Sequence, residues 1–234
     1  MLVQYQQLVH WLFTGYLTEN KKISKGFASV VRKTRPALKA TAYRDIKEII
    51  ENLGLSGMVK ENKSELVISY NDRHLEFFSV DNQQKVRGRK RDILYCNEAN
   101  EIGFKNEFYQ LIIRTREKVI IDFNPDDPNI WINTELEQKR AIIKQDVGVI
   151  VSTYKDNGFL TREEVEEIEY TKEIDPELWE VFGKGNYGKI TGLVFPSFVV
   201  VDEFPEGLST EIYGLDFGYN DPLALIRVGA DEKN

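Results

Sequence analysis

Apolar residues near the start of the chain recur at three- and four-residue steps. Leu2, Tyr5, Val9, Leu12, Phe13 and Tyr16 share one face, which predicts an amphipathic helix ending near Asn20. A short apolar run, "FASVV" (27–31), then predicts a buried strand. The helical period returns in "TRPALKATAYRDIKEIIENLG", with Thr34 as its cap, Pro36 in the first turn and Gly54 past the end. Leu38, Ala42, Ile46, Ile49 and Leu53 are the expected inner face. Two β-rich runs around a short polar turn, "SELVISY-NDR-HLEFFSV", predict a hairpin.

After a basic, glycine-containing loop (81–91), "ILYC" (93–96) predicts a second buried strand. Helices are expected near 104–114 and 129–141, with strands at "KVIIDF" (118–123) and "VGVIVSTY" (147–154). Thr161 and Glu164 form a capping box for a further helix, and "DPELWEVFG" starts another at Asp175-Pro176. Strands alternating with helices define an α/β core with a mainly parallel sheet. Turn residues dominate 183–210, and "EIYGLDFGYNDPLALIRVGA" then predicts two strands joined by a turn. Two strands are too few for an independent fold, so they are expected to begin a second domain.

Composition narrows this picture little. A chain of 234 residues can bury one large core, and 41% hydrophobic with 12% aromatic content is ordinary for a globular protein. The single cysteine, Cys96, cannot form an internal disulfide and fits a reducing compartment. One cysteine and two histidines argue against a zinc site. The opening segment carries Gln4, Gln6, Gln7 and His10, so it reads as neither a signal peptide nor a membrane helix. The net charge of −7 argues against wholesale coating of nucleic acid but leaves room for a local basic patch.

Four stretches carry candidate chemistry. In "DILYCNEANEI" a buried strand runs into Asn97-Glu98. P-loop ATPases end a strand in an acidic pair, the first holding Mg²⁺ and the second activating water. Glu98 fits the second role, while Asn97 offers an uncharged oxygen in the first. An ordinary strand-to-turn boundary would look the same. "VRGRKR" brings Arg87, Arg89, Lys90 and Arg91 together, either as a solvated loop or as contacts to DNA or to a neighbouring subunit's phosphate. "IIDFNPDDP" ends a strand near Asn124, an amide that could sense a γ-phosphate. "GLDFGYNDP" sets Asp216 in an apolar strand, either as a metal ligand or as an edge residue facing solvent. The one near match to a phosphate loop, "GKGNYGKI" (183–190), has Ile190 at the hydroxyl position and no helical pattern after it, so it reads as a decoy.

The order of these stretches resembles the large terminase subunit of tailed bacteriophages and prophages. The series is "VVRKTRPALKATAY", "FFSVDNQQKVRG", "DILYCNEANEI", "RTR", "IIDFNP", "VSTYKDNGFL", "GKGNYGKITGLVF" and "YGLDFGYNDP", spread over residues 30–222. The resemblance implies an ATP-driven motor that moves double-stranded DNA into a procapsid, joined to an RNase H-like nuclease. Residues 1–172 would be a P-loop NTPase-type domain without its phosphate loop, 173–207 a linker and 208–234 the start of the nuclease.

By resemblance, Glu98 is the catalytic glutamate, Asn97 the magnesium-side residue, Asn124 part of the coupling motif and Asp216 the first nuclease metal ligand. Arg87 is the arginine offered to the next subunit, with Arg89 close enough to compete for that role. Implied cofactors are ATP and Mg²⁺, with Mg²⁺ or Mn²⁺ for the nuclease. Implied partners are a small terminase subunit, a portal protein and further copies in a pentamer, in the host cytoplasm and without a membrane. The absence of the phosphate loop and of later nuclease carboxylates reads as an internal piece of a terminase. Neither ATP turnover nor DNA cleavage is then expected of this chain alone. A helicase-like translocase, an inert DNA-binding module and a free-standing metal nuclease are the competing readings.

Overall fold

A computed structural model describes residues 2–81, 86, 90–188, 203–216 and 224–230. The chain divides into two compact units, residues 1–190 and 191–234.

The first unit is built on a six-stranded sheet of order β4-β5-β6-β3-β7-β8. Its strands are β3 (Gly26–Arg32), β4 (Lys60–Asn62), β5 (Val67–Tyr70), β6 (Arg73–Ser79), β7 (Arg91–Cys96) and β8 (Thr115–Ile121). β3 runs parallel to both β6 and β7, and β7 runs parallel to β8. Only β4 and β5 are antiparallel, the latter through the expected hairpin with β6. The mainly parallel α/β class expected from the sequence is the one observed. A small ribbon, β1 (Tyr16–Thr18) with β2 (Lys21–Lys22), lies outside this sheet.

Helices cover both faces, so the central strands are apolar on both sides, which is why "ILYC" reads as an unbroken run. Ile93 and Tyr95 join the layer formed by α1 (Leu2–Thr14) and α2 (residues 35–52). Leu94 and Cys96 join the opposite layer, with Phe108 and Leu111 of α3 (residues 104–112) and Leu136 of α4 (residues 132–144). Trp131 fixes α4 against α3: its ring lies 4.5 Å from that of Phe108, and its indole N–H donates to Ile102 O at 2.7 Å. Arg73 ties α1 to the hairpin, donating to Leu12 O at 2.7 Å, Phe13 O at 2.9 Å and Ser24 O at 2.9 Å.

Three sequence expectations need correction. Helix α1 stops at Thr14, well before Asn20, because Gly15 takes φ +80° and turns the chain into β1. The inner face of α2 is Leu38, Ala42, Ile46 and Ile50, while Ile49 is half-buried and Leu53 exposed. A widened π turn at Lys39–Tyr43 rotates the helix so that the buried positions follow strict four-residue steps. Residues 147–154 form no strand: Ile150 is 94% exposed, and no described strand pairs with the segment. The capping box of Thr161 and Glu164 does form, opening α5 (Arg162–Ile174), and Asp175 caps the short helix α6 (residues 176–183).

In the second unit, β9 (Thr210–Asp216) and β10 (Ala224–Ala230) pair antiparallel, with Thr210 opposite Ala230 and Asp216 opposite Ala224. Ile212, Tyr213, Leu215, Leu225, Ile226 and Val228 are all exposed. Among the described residues, no helix of the chain is long and apolar enough to cross a membrane.

Candidate active site

Because β3, β6, β7 and β8 point the same way, their C-terminal ends share one rim. Arg32 closes β3 there, and Asn97-Glu98 follow β7. The register that sets Cys96 opposite Ile121 puts Asp122 beside Asn97 at the next step. Backbone bonds fasten the place, from Asn97 N to Val31 O at 2.9 Å, Asp122 N to Cys96 O at 3.1 Å and Ala99 N to Asp122 O at 2.8 Å.

Glu98 then adopts φ +53°, a left-handed conformation uncommon outside glycine, before a 3₁₀ turn over Ala99–Glu101. Its backbone N–H donates to Asp122 Oδ1 at 3.1 Å. The Asn97 side-chain N–H₂ faces the same carboxylate, 3.3 Å from Oδ1 and 3.2 Å from Oδ2. The Asn97 carbonyl oxygen is buried with no hydrogen-bond partner among the described residues.

The Glu98 side chain is half-buried at the rim and forms no ion pair with a described residue. Burial pushes its carboxyl above the ordinary carboxylate range, the Asp122 charge adds to this, and Arg32 opposes it. Burial likewise raises the Asp122 carboxyl, against the hydrogen bonds from Glu98 N–H and Asn97. The Arg32 guanidinium donates to Thr41 Oγ1 at 2.8 Å and lies 3.8 Å from Glu101. A carboxylate with a raised pKa at the open end of a strand can accept a proton from water, and an amide oxygen beside it can accept from a second water.

Asn124 is exposed two residues beyond Asp122, on the same rim. The basic loop fares differently. Arg87 and Arg89 lie outside the described residues, and Lys90 is exposed. Arg91 is fully buried: its guanidinium donates to Leu111 O at 3.2 Å and sits 5.5 Å from the centre of the Phe78 ring. It begins β7, about 16 Å from the rim at the usual rise per strand residue, and its burial removes it from the set expected to touch DNA or a neighbouring subunit. Asp216 ends β9, and residues 217–222 of "GLDFGYNDP" lie outside the described residues. Asp122 and Arg32 escaped the sequence reading. For Asp122 the usable signal was an acid closing a strand predicted to lie in the same parallel sheet.

The architecture is therefore a mainly parallel α/β sheet flanked by helices, with an amide and a carboxylate directly following the inner strand β7 at the C-terminal rim. The chain belongs to the phage terminase large subunit family, whose model matches residues 14–186, so the kinship suggested by the motif order holds. It is 28% identical to the PBSX phage terminase large subunit of Bacillus subtilis (strain 168), over 88% of this chain and 55% of that protein. It is 25% identical to the terminase large subunit of Bacillus phage SPP1, over 87% of this chain and 53% of that one. The chain thus spans about half the length of the curated relatives it matches. The large terminase of a thermophilic bacteriophage shares the fold, at TM-score 0.60 and 15% identity over 98% of this chain and 65% of that one. A crystal form of the same thermophilic-phage protein in complex with ADP aligns at TM-score 0.59 and 17% identity, over 89% of this chain and 53% of that one.

Proposed function

We propose that this chain carries the water-activating half of the ATPase site of a DNA-packaging motor. The observation that carries the reading is Glu98: a half-buried carboxyl with a raised pKa, held at the C-terminal rim of a parallel sheet in a protein of the terminase family. A general base of this kind contributes most when its pKa approaches the working pH. The ADP complex of the thermophilic-phage terminase supports a nucleotide as the ligand. Glu98 orients and deprotonates water for attack on the γ-phosphate.

The magnesium ion of such a site neutralises phosphate charge when bound. Among the described residues, no group of three or more acidic, histidine or cysteine side chains could hold a metal unaided. Asn97 Oδ1, without a partner among the described residues, would face such an ion and could accept a hydrogen bond from a water on it, while the phosphates would supply most of its ligands. Asn124, exposed on the same rim, serves as the coupling amide, and Arg87, or Arg89 in its place, reaches a neighbouring subunit's nucleotide.

For the whole protein, the reading extends to double-stranded DNA as substrate and to a small terminase subunit, a portal protein and pentameric assembly as partners, in the host cytoplasm. An RNase H-like nuclease that cuts concatemeric DNA completes it, with Asp216 as one ligand of a two-metal Mg²⁺ or Mn²⁺ site.

The test is DNA-stimulated ATP hydrolysis by a large-subunit polypeptide containing this sequence. Glu98→Gln should lower kcat about 100-fold or more with little change in KM. Turnover equal to the unsubstituted protein would end the ATPase reading.

A further inference from the structure

Among the polar groups at the rim, the Asn97 amide stands out for being satisfied on one side and orphaned on the other. We propose that Asp122 is a positioning residue that locks this amide with its carbonyl oxygen turned to the metal side, and that it carries, one strand over, the negative charge that Asn97 lacks. The inference rests on the ATPase reading above for the words "metal side". The pairing itself rests on geometry alone.

An asparagine side chain can dock with either end forward, whereas a carboxylate only accepts hydrogen bonds. With Asp122 Oδ1 and Oδ2 at 3.3 and 3.2 Å, the N–H₂ must face the acid, because the flipped amide would set oxygen against oxygen. That choice leaves Asn97 Oδ1 buried without a described partner. Proteins rarely leave a buried acceptor unpaired unless water or a ligand completes it. The same carboxylate also takes the Glu98 N–H at 3.1 Å, so one side chain sets the direction of two consecutive residues. In the acidic pair usual for P-loop ATPases the first charge sits on the central strand itself. Here an amide just past β7 and an acid just past β8 divide that task.

A divided unit of this kind should survive exchange of its halves. Asn97→Asp alone brings two carboxylates to about the 3.2 Å now separating amide and acid, and Asp122→Asn alone frees the Asn97 amide to flip. The double variant Asn97→Asp/Asp122→Asn restores one acid facing one amide, with the acid now on the metal side. The experiment is a double-mutant cycle with two readouts. Thermal melting of this chain near pH 7.5 should drop by roughly 3–6 °C in each single variant and return to within about 2 °C in the double. In a large-subunit polypeptide containing this sequence, the Mg²⁺ concentration for half-maximal ATP hydrolysis should rise about tenfold in Asp122→Asn and recover in the double.

Losses that simply add in the double variant would overturn the pairing. Coupled melting with an unmoved Mg²⁺ requirement would overturn the metal-side role and leave only a structural contact. Should Glu98→Gln hydrolyse ATP like the parent, the metal-side role falls together with the ATPase reading, and the melting cycle still decides the pairing.

Discussion

Two stretches of similar composition meet opposite fates in this molecule. Ile93–Cys96 and Val149–Val151 are both short, apolar and β-prone, and the alternation of elements gave each the same expectation. The first lies between β3 and β8 and is fully buried on both faces. The second has no regular secondary structure and no strand partner among the described residues, with Val149 56%, Ile150 94% and Val151 62% exposed. β-propensity is a statement about fitting a pleated, half-buried surface. Without a neighbouring edge among the described residues, the same side chains specify no strand.

Substitution should widen the contrast. Leu94→Ala removes buried volume between β7 and the α3–α4 layer, and should cost about 2–5 kcal/mol in urea or thermal unfolding. At Glu98 the effect is smaller and depends on pH. Its carboxyl holds a proton more tightly in the folded state, so the folded protein loses stability as pH rises above the ordinary glutamate value near 4.3 and through the raised folded value. Glu98→Gln removes that titration. Relative to the parent, its melting temperature should therefore climb as pH rises from about 4 through the raised folded value, and a difference that stays flat with pH would show an unstrained carboxylate. The smallest change belongs to the exposed stretch, where Ile150→Ser should shift stability by no more than about 0.5 kcal/mol. A loss comparable to Leu94→Ala would mean that this segment is packed after all.

The same contrast explains what could be read from the chain. Periodicity sufficed for β3, the hairpin and β7, because their alternation or unbroken apolarity directly reports which faces are covered. Local chemistry sufficed for the caps at Thr161 and Asp175, whose partners lie two or three residues away. Features that depend on distant partners were hidden. Asp122 acquires its role from Asn97 and Glu98, 25 and 24 residues earlier, through a register that only the folded sheet supplies. Arg91 belongs by sequence to a basic loop, yet it opens a strand whose start is covered by Phe78 and α3. The inner face of α2 drifted because a single π turn changes the phase of every later position.

The grip of Arg73 on the end of the first helix has a consequence for how the protein opens. Three carbonyl oxygens, two from the last turns of α1 and one from the approach to β3, converge on a single cation borne by the hairpin. Peeling the N-terminal helix away would strip that cation of all three at once, so fraying of this end is not a local affair. Amide protons along α1 and along β6 should exchange with solvent on one shared clock, as parts of the same cooperative unit.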